Sequence, residues 1–268
     1  MSAIALNEWD LALAACLVAL SAVISLWLRL SLHRQMLVAA VRTVLQLLLV
    51  GHILRMVFAH ASPAATALVI AVMMALAARE VAARPRARLA ARGNAWVGAL
   101  TVVSTTLVTT LFILSTALRP DPWYDPRYVI SLVGIMLGAI LNAASLSLDG
   151  MLSGVRRERG AIEAQLALGA TARRAFSPLL RESVRRGIVP SINQMSAAGI
   201  ITLPGIMTGQ VIAGMDPVEA ARYQILLMFL LCGASGLAAM GAAYLALRRL
   251  TDGRDRLRLD RMAPEDCA

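Results

Sequence analysis

Tyr128-Val129-Ile130-Ser131-Leu132-Val133-Gly134-Ile135-Met136-Leu137-Gly138-Ala139-Ile140-Leu141-Asn142-Ala143-Ala144-Ser145-Leu146-Ser147-Leu148-Asp149 carries no charge before its last residue. A helix needs roughly 20 apolar residues to cross a hydrocarbon core of about 30 Å, and this run supplies them. Ser131, Gly134, Gly138, Asn142, Ser145 and Asp149 recur by threes and fours, so they share one helical face. Gly134-x-x-x-Gly138 is a close-packing signal between membrane helices. The stripe is therefore expected to pack on a neighbour. Asn142 stands apart, because an amide at mid-span needs a hydrogen-bond partner, and it is a candidate for a polar pathway.

Six further apolar segments surround this one, near 9–28, 36–58, 62–78, 94–118, 188–213 and 222–247. The 268 residues are 59% hydrophobic and only 4% aromatic, with mean hydropathy +0.70. Soluble domains hold about 45–50% apolar residues, so the excess belongs to the bilayer. Segments of alternating polarity, the mark of a membrane barrel, are absent. The expectation is an all-α polytopic membrane protein with about seven spans. The first segment is not expected to be a cleaved signal: Glu8 and Asp10 precede it, and no positive n-region leads it.

All 26 basic residues are arginine. Segments 29–35, 79–93, 150–187 and 248–268 hold two, five, eight and six of them, 21 in all. The positive-inside rule then puts these segments in the cytoplasm, with the N-terminus periplasmic and the C-terminus cytoplasmic. The net charge of +10 and pI near 11 thus report topology and attraction to anionic membrane lipid, not nucleic acid. A transmembrane domain is expected over 1–250, with a cytoplasmic loop at about 150–187. A charged tail follows at 251–268, read as a frayed end for want of apolar periodicity.

The loop contains Ile162-Glu163-Ala164-Gln165-Leu166-Ala167-Leu168-Gly169-Ala170-Thr171. In the permease subunits of ABC transporters, a separate ATPase docks on a loop reading Glu-Ala-Ala, three variable residues, then Gly. Glu163, Ala164 and Gly169 hold those places, with Gln165 for the second Ala. The plainer reading is an amphipathic surface helix ended by a left-handed Gly. Asp149-Gly150 is expected to end the fifth span. Thr171 is placed to cap a new turn, and Ser177-Pro178 to restart a helix with Ser as its cap.

Inside the spans, Arg42 and Gln46 share a face of the second. Arg42 either snorkels to the headgroups or faces an interior at a cost of at least about 2.5–3.5 kcal/mol. The sixth span holds Pro190, Asn193, Gln194, Gly199, Pro204, Gly205 and Gln210. Its interrupted backbone suits either the lining of a water-filled pathway or a kinked packing helix. Cys16, Cys232 and Cys267 are far apart, and His33, His52 and His60 share no ligand spacing. Methionines such as Met136, Met195, Met207 and Met215 are read as gap-fillers, so no dedicated metal site or other cofactor is expected. With no phosphate-binding Gly loop and no nucleophile paired to a base, the chain is not expected to be an enzyme.

These residues resemble the FetB (YbbM-like) permeases, a membrane family linked to iron export. The resemblance runs from about Arg34 to Leu247. It rests on Arg42-Thr43-Val44-Leu45-Gln46-Leu47, Trp123-Tyr124-Asp125-Pro126-Arg127-Tyr128, the stretch from Glu163 to Thr171, and Leu203-Pro204-Gly205-Ile206-Met207-Thr208-Gly209-Gln210. Ala213-Gly214-Met215-Asp216-Pro217 and Arg222-Tyr223-Gln224-Ile225 extend it. The chain departs where Ser131 replaces an expected Pro and Ala139 an expected Asn. The resemblance implies an all-helical permease that works as a homodimer with two copies of a cytoplasmic ABC ATPase, exporting iron or a related solute.

The reading is an ABC permease of the bacterial inner membrane. Glu163, Ala164, Gly169 and Thr171 form its ATPase-coupling site, and Arg42, Gln46, Asn142, Asn193, Gln194 and Gln210 are the pathway candidates. One alternative is an ion-coupled secondary transporter, which wants a mid-span carboxylate; Asp149, at the span edge, is the best candidate. The other is a force-transmitting membrane partner of an ATPase, which wants a large periplasmic domain.

Overall fold

A computed structural model of the chain describes residues 8–29, 31–60, 62–116 and 125–263. It divides into two compact units, one made of the chain up to Ser62 with 212–214, the other of the remainder.

The first unit is a helical hairpin of α1 (Glu8–Trp27) and α2 (His33–His60). Its turn places Arg29 and Ser31 at φ 53° and 57°, and the buried Ser25 Oγ accepts the Leu32 N–H at 3.2 Å. Leu13, Leu17, Leu45, Leu47 and Leu48 point outward and are exposed. Such faces suit a hydrocarbon solvent rather than water.

The second unit contains α3 (Pro63–Ala83), α4 (Gly93–Thr116), α5 (Pro126–Arg157), α6 (Arg159–Ala167), α7 (Ala172–Ala175), α8 (Ser177–Ala197) and α10 (Pro217–Leu250). Between the last two runs the short α9 (Gly205–Ile212). Helices α2, α3, α4, α5 and α10 are long and apolar enough to cross a membrane.

Side-chain contacts fix the directions of the bundle. Gly150 faces Ser183 while Gly187 faces Ala143, so α5 and α8 are antiparallel. Ser191 Oγ donates to Ser235 Oγ at 2.7 Å while Gly187 faces Ala239, so α8 also runs against α10. Helix α3 runs with α5, since Met73 meets Gly134 and the Arg86 N–H, just past α3, donates to Asp149 at 2.9 Å. Asn94 bonded to Ala82 and Gly98 against Ala78 set α4 against α3. Helices α3, α5 and α10 therefore all finish at the arginine-rich end, and the chain returns through α8 and α9.

The local sequence explains where the two longest helices begin. Asp125-Pro126 and Asp216-Pro217 each place a capping carboxylate before a proline that needs no N–H partner. Asp125 Oδ1 accepts the Arg127 N–H at 2.9 Å, and Asp216 Oδ1 accepts Val218 and Glu219 N–H at 2.9 and 3.1 Å. Asp216→Ala is expected to cost about 1 kcal/mol, read as a lower thermal midpoint of the purified protein in detergent.

Three expectations are corrected here. Helix α5 passes through Gly150 to Arg157, because Gly150 is where α8 approaches, with Ser183 and Arg186 atoms 3.4 Å from the position a Cβ would take. At about 1.5 Å per residue, its 32 residues reach about 48 Å, well past a hydrocarbon core. The sixth segment is not one kinked span. Helix α8 starts at Ser177, one residue beyond its cap Phe176, and continues through Pro190 to Ala197. The chain then breaks at 198–204, where Gly199 adopts φ +85° and donates its N–H to the Thr202 carbonyl at 2.9 Å, before α9 resumes. The expected contact at Gly134 and Gly138 is also displaced. Among the described residues, none comes close enough to meet a Cβ at Gly138, and Gly134 meets the Met73 methyl alone.

Close packing falls elsewhere. Ala234, Ala238, Ala239, Ala242, Ala243 and Ala246 of α10 are wholly buried where this helix packs on its neighbours α5, α8 and α4, and larger α5 side chains such as Met136, Ile140, Leu148 and Met151 are buried in the same core. Between lipid-exposed helices, burial from water supplies no drive, so such small-on-large packing and buried hydrogen bonds must hold the helices together. The bond from Ser147 Oγ to the Ala239 carbonyl, 2.8 Å long and fully buried, is one of these.

Candidate functional site

The arginine-rich end is built on the last turns of α5 and α10. Ile162 of α6, Ala172 and Ala175 of α7, and Phe176 at the start of α8 are buried there. These apolar anchors seat α6 and α7 on the bundle and leave their other faces outward. Glu163, Ala164, Gly169 and Thr171 are all exposed, and Leu168 is 88% exposed. Leu166, by contrast, is partly buried against the core.

Gly169 turns the chain as its sequence position suggests. Its φ is +86°, with its N–H on the Leu166 carbonyl and the Ala170 N–H on the Gln165 carbonyl, both at 3.0 Å. Open space surrounds the position of a Cβ, so the need for glycine is conformational rather than steric. Glu163 pairs with Arg159 at 2.9 Å. Both side chains are about half exposed, and a pair of that kind contributes little to stability, which leaves Glu163 able to exchange partners.

Thr171 has the extended backbone of a capping residue, but its side chain bonds no N–H of α7. That role falls to Asp255, 83 positions along the chain, whose Oδ1 accepts the Ala172 N–H at 3.0 Å. Residues 251–263 of the tail are therefore folded, contrary to the frayed end expected, and the remaining five lie outside the described residues. Asp252 Oδ1 accepts the Arg254 and Arg256 N–H groups at 3.0 and 2.9 Å, closing a turn that holds Asp255 at φ 55°. The Arg258 N–H returns to the Leu250 carbonyl, Met262 pairs with Leu89 and is buried, and Arg156 Nη2 donates to the Ala263 carbonyl at 2.6 Å. Composition hid this because docking uses only Leu257, Leu259 and Met262 as apolar contacts; backbone hydrogen bonds and the charged side chains of Asp252, Asp255 and Arg156 supply the rest.

The backbone bond from Arg256 holds the Asp252 carboxyl below the ordinary aspartate range, and the Arg258 guanidinium does the same for Asp260. Both carboxylates favour the folded tail above the ordinary aspartate pKa, and that contribution is lost as pH falls through the lowered values.

The pathway candidates are dispersed. Arg42 and Gln46 lie exposed on α2 of the first unit. Asn142 Oδ1 accepts a hydrogen bond from Arg84 at 2.9 Å, which gives the mid-span amide its partner. Asn193 and Gln194 are exposed on α8 just before the break, and Gln210 lies on α9. Among the described residues no hydrogen bond joins the side chains of Asn142, Asn193, Gln194 and Gln210 to one another, and the buried Gln210 Oε1 has no partner there. Sequence reasoning missed a second such atom, the Oε1 of the buried Gln224 on α10. It also missed the buried Thr101, Thr105 and Thr109 of α4, legible as threonines four apart, and the buried Thr106 beside them.

Residues 8–251 match the model of the uncharacterised protein family UPF0014. The chain belongs to this family. A UPF0014 membrane protein of Synechocystis is 39% identical over 208 residues, 76% of this chain and 78% of the relative. The probable iron export permease protein FetB of Escherichia coli is 31% identical over 251 residues, 94% of both chains. Protein ALUMINUM SENSITIVE 3 of Arabidopsis thaliana is 28% identical over 234 residues, 87% of this chain and 84% of its own. No solved structure matches. With its long apolar helices, this UPF0014 chain is a multi-pass α-helical membrane protein.

Proposed function

We propose that this UPF0014 protein is the permease subunit of an ABC exporter in the bacterial inner membrane, working as a pair and driven by a separate cytoplasmic ATPase. The observation that carries the reading is the outward-facing turn 163–171, seated by buried Ile162 and Phe176 and joined to α8 by the short α7. Force applied at Glu163 and Gly169 passes through α7 into α8, whose Gly187 is wedged between α5 and α10. That helix ends at the break 198–204, where a small rotation changes which polar groups face the pathway. The positive-inside rule supports a cytoplasmic placement of the turn. The probable iron-export role of the E. coli relative supports iron or a related metal as cargo. A secondary transporter would need Asp149 to cycle through protonation or ion binding, whereas Asp149 here accepts the Arg86 N–H.

The test is reconstitution with the ATPase whose hydrolysis rate this chain raises. Glu163→Arg is expected to weaken association by charge reversal. Gly169→Val is expected to weaken it through a backbone strained by roughly 1–2 kcal/mol. Both variants should insert and fold. Full association and unchanged stimulation of hydrolysis in both would end the coupling reading.

The pathway has its own expectation. In a cysteine-free background, a small thiol reagent should label Cys at position 193 or 194, at a rate that changes with the nucleotide on the ATPase. Gln194→Leu should lower transport severalfold with association intact. A span unreactive in every nucleotide state would move the pathway away from α8.

A further inference from the structure

The tail turn 252–257 lies beside the coupling turn, and together they enclose a groove of about 450 Å³. One wall is Glu163, Leu166, Ala167, Gly169 and Ala170; the other is Arg254, Asp255, Arg256 and Leu257. Asp255 ties the walls together through the Ala172 N–H, and Asp252 sets the turn through two backbone bonds. Arg254 and Arg256 are exposed at the rim. The carboxylate on the facing wall, Glu163, is engaged by Arg159. The groove therefore has a partly apolar floor at Leu166 and Leu257, and with Glu163 offset by Arg159 its rim carries Arg254 and Arg256 against one remaining carboxylate, Asp255, a single positive charge in excess.

We infer that the tail turn is the second half of the docking surface: Arg254 and Arg256 receive carboxylates of the docked ATPase, while Asp255 fixes the angle of the coupling turn. This rests on the ABC reading of the turn 163–171. Charge complementarity selects the occupant, because a basic rim around a small apolar floor fits an acidic protein segment carrying one apolar side chain. Arg254 and Arg256 act by contact; Asp255 is a positioning residue.

The experiment uses the full chain in phosphatidylcholine nanodiscs, so that anionic lipid does not compete, titrated with the purified ATPase subunit. The double variant Arg254→Glu with Arg256→Glu is expected to bind roughly five- to tenfold more weakly, with a shallower dependence on salt. Its fold should persist, since Asp252 holds the turn through backbone groups. Asp255→Ala is expected to speed hydrogen exchange across residues 168–176, and Asp255→Asn, which keeps an acceptor oxygen, to restore protection. If Glu163→Arg weakens binding while the double arginine variant binds as wild type, the tail inference falls and the coupling reading stands. If neither weakens binding, the coupling reading falls with it. Arginine reversal that alters only binding to phosphatidylglycerol vesicles, or Asp255→Ala that leaves exchange unchanged, overturns the inference as well.

Discussion

Gly187→Val should leave little folded protein to purify. A Cβ at this position would sit 2.7 Å from the Ala143 carbonyl oxygen and 2.7 Å from the Ala239 Cβ, with the Ser147 Cβ at 3.2 Å. The first is backbone and the others are Cβ atoms, so none can swing aside by a rotamer change. Helix α8 would have to move off both α5 and α10, stretching the bond between Ser191 and Ser235. Gly187→Ala alone is expected to cost about 2–3 kcal/mol as overpacking, and the branched valine more. Gly138→Ala is the control. It adds a methyl where nothing is near, and should match wild type in thermal midpoint and in the single peak on size exclusion. Equal stability of the Gly138 and Gly187 variants would mean that α8 does not pack as described.

Asn94→Ala is the second large effect expected. Asn94 is buried at the start of α4; its Oδ1 accepts the Leu89 N–H at 3.0 Å and its Nδ2 donates to the Ala82 carbonyl at 3.2 Å. One side chain thus closes the connection between α3 and α4. Truncation leaves a buried donor and a part-buried acceptor without partners, at about 1–3 kcal/mol each. The damage should spread, because the Ala90 N–H of the same connection bonds the Arg261 carbonyl of the tail at 2.7 Å. Hydrogen exchange should accelerate at residues 84–92 and at the tail together. Acceleration confined to the first segment would show that the tail does not depend on this connection.

Most of the architecture was legible as local pattern. Apolar runs of membrane length, Asp-Pro pairs before α5 and α10, and the arginine bias each act through the residues that carry them. Gly169 was legible for the same reason, since a positive φ is a property of one residue and its neighbours. Gly150 and Gly138 misled because a glycine looks alike in sequence whether it ends a helix, admits a neighbour or faces open space. Asn142 clearly needed a partner, yet nothing local named Arg84, 58 positions away.

Read alone, the chain determined that it is a helical membrane protein with one arginine-rich end and a glycine-terminated helix exposed there. The tertiary structure alone decided that Gly187 is the close contact, that Asp255 rather than Thr171 caps α7, and that residues 251–263 of the charged tail are part of the folded end. Helix length, capping and insertion depend on residues within a turn or two. Contacts between residues 83 or 92 positions apart exist only once the bundle sets the register of its helices.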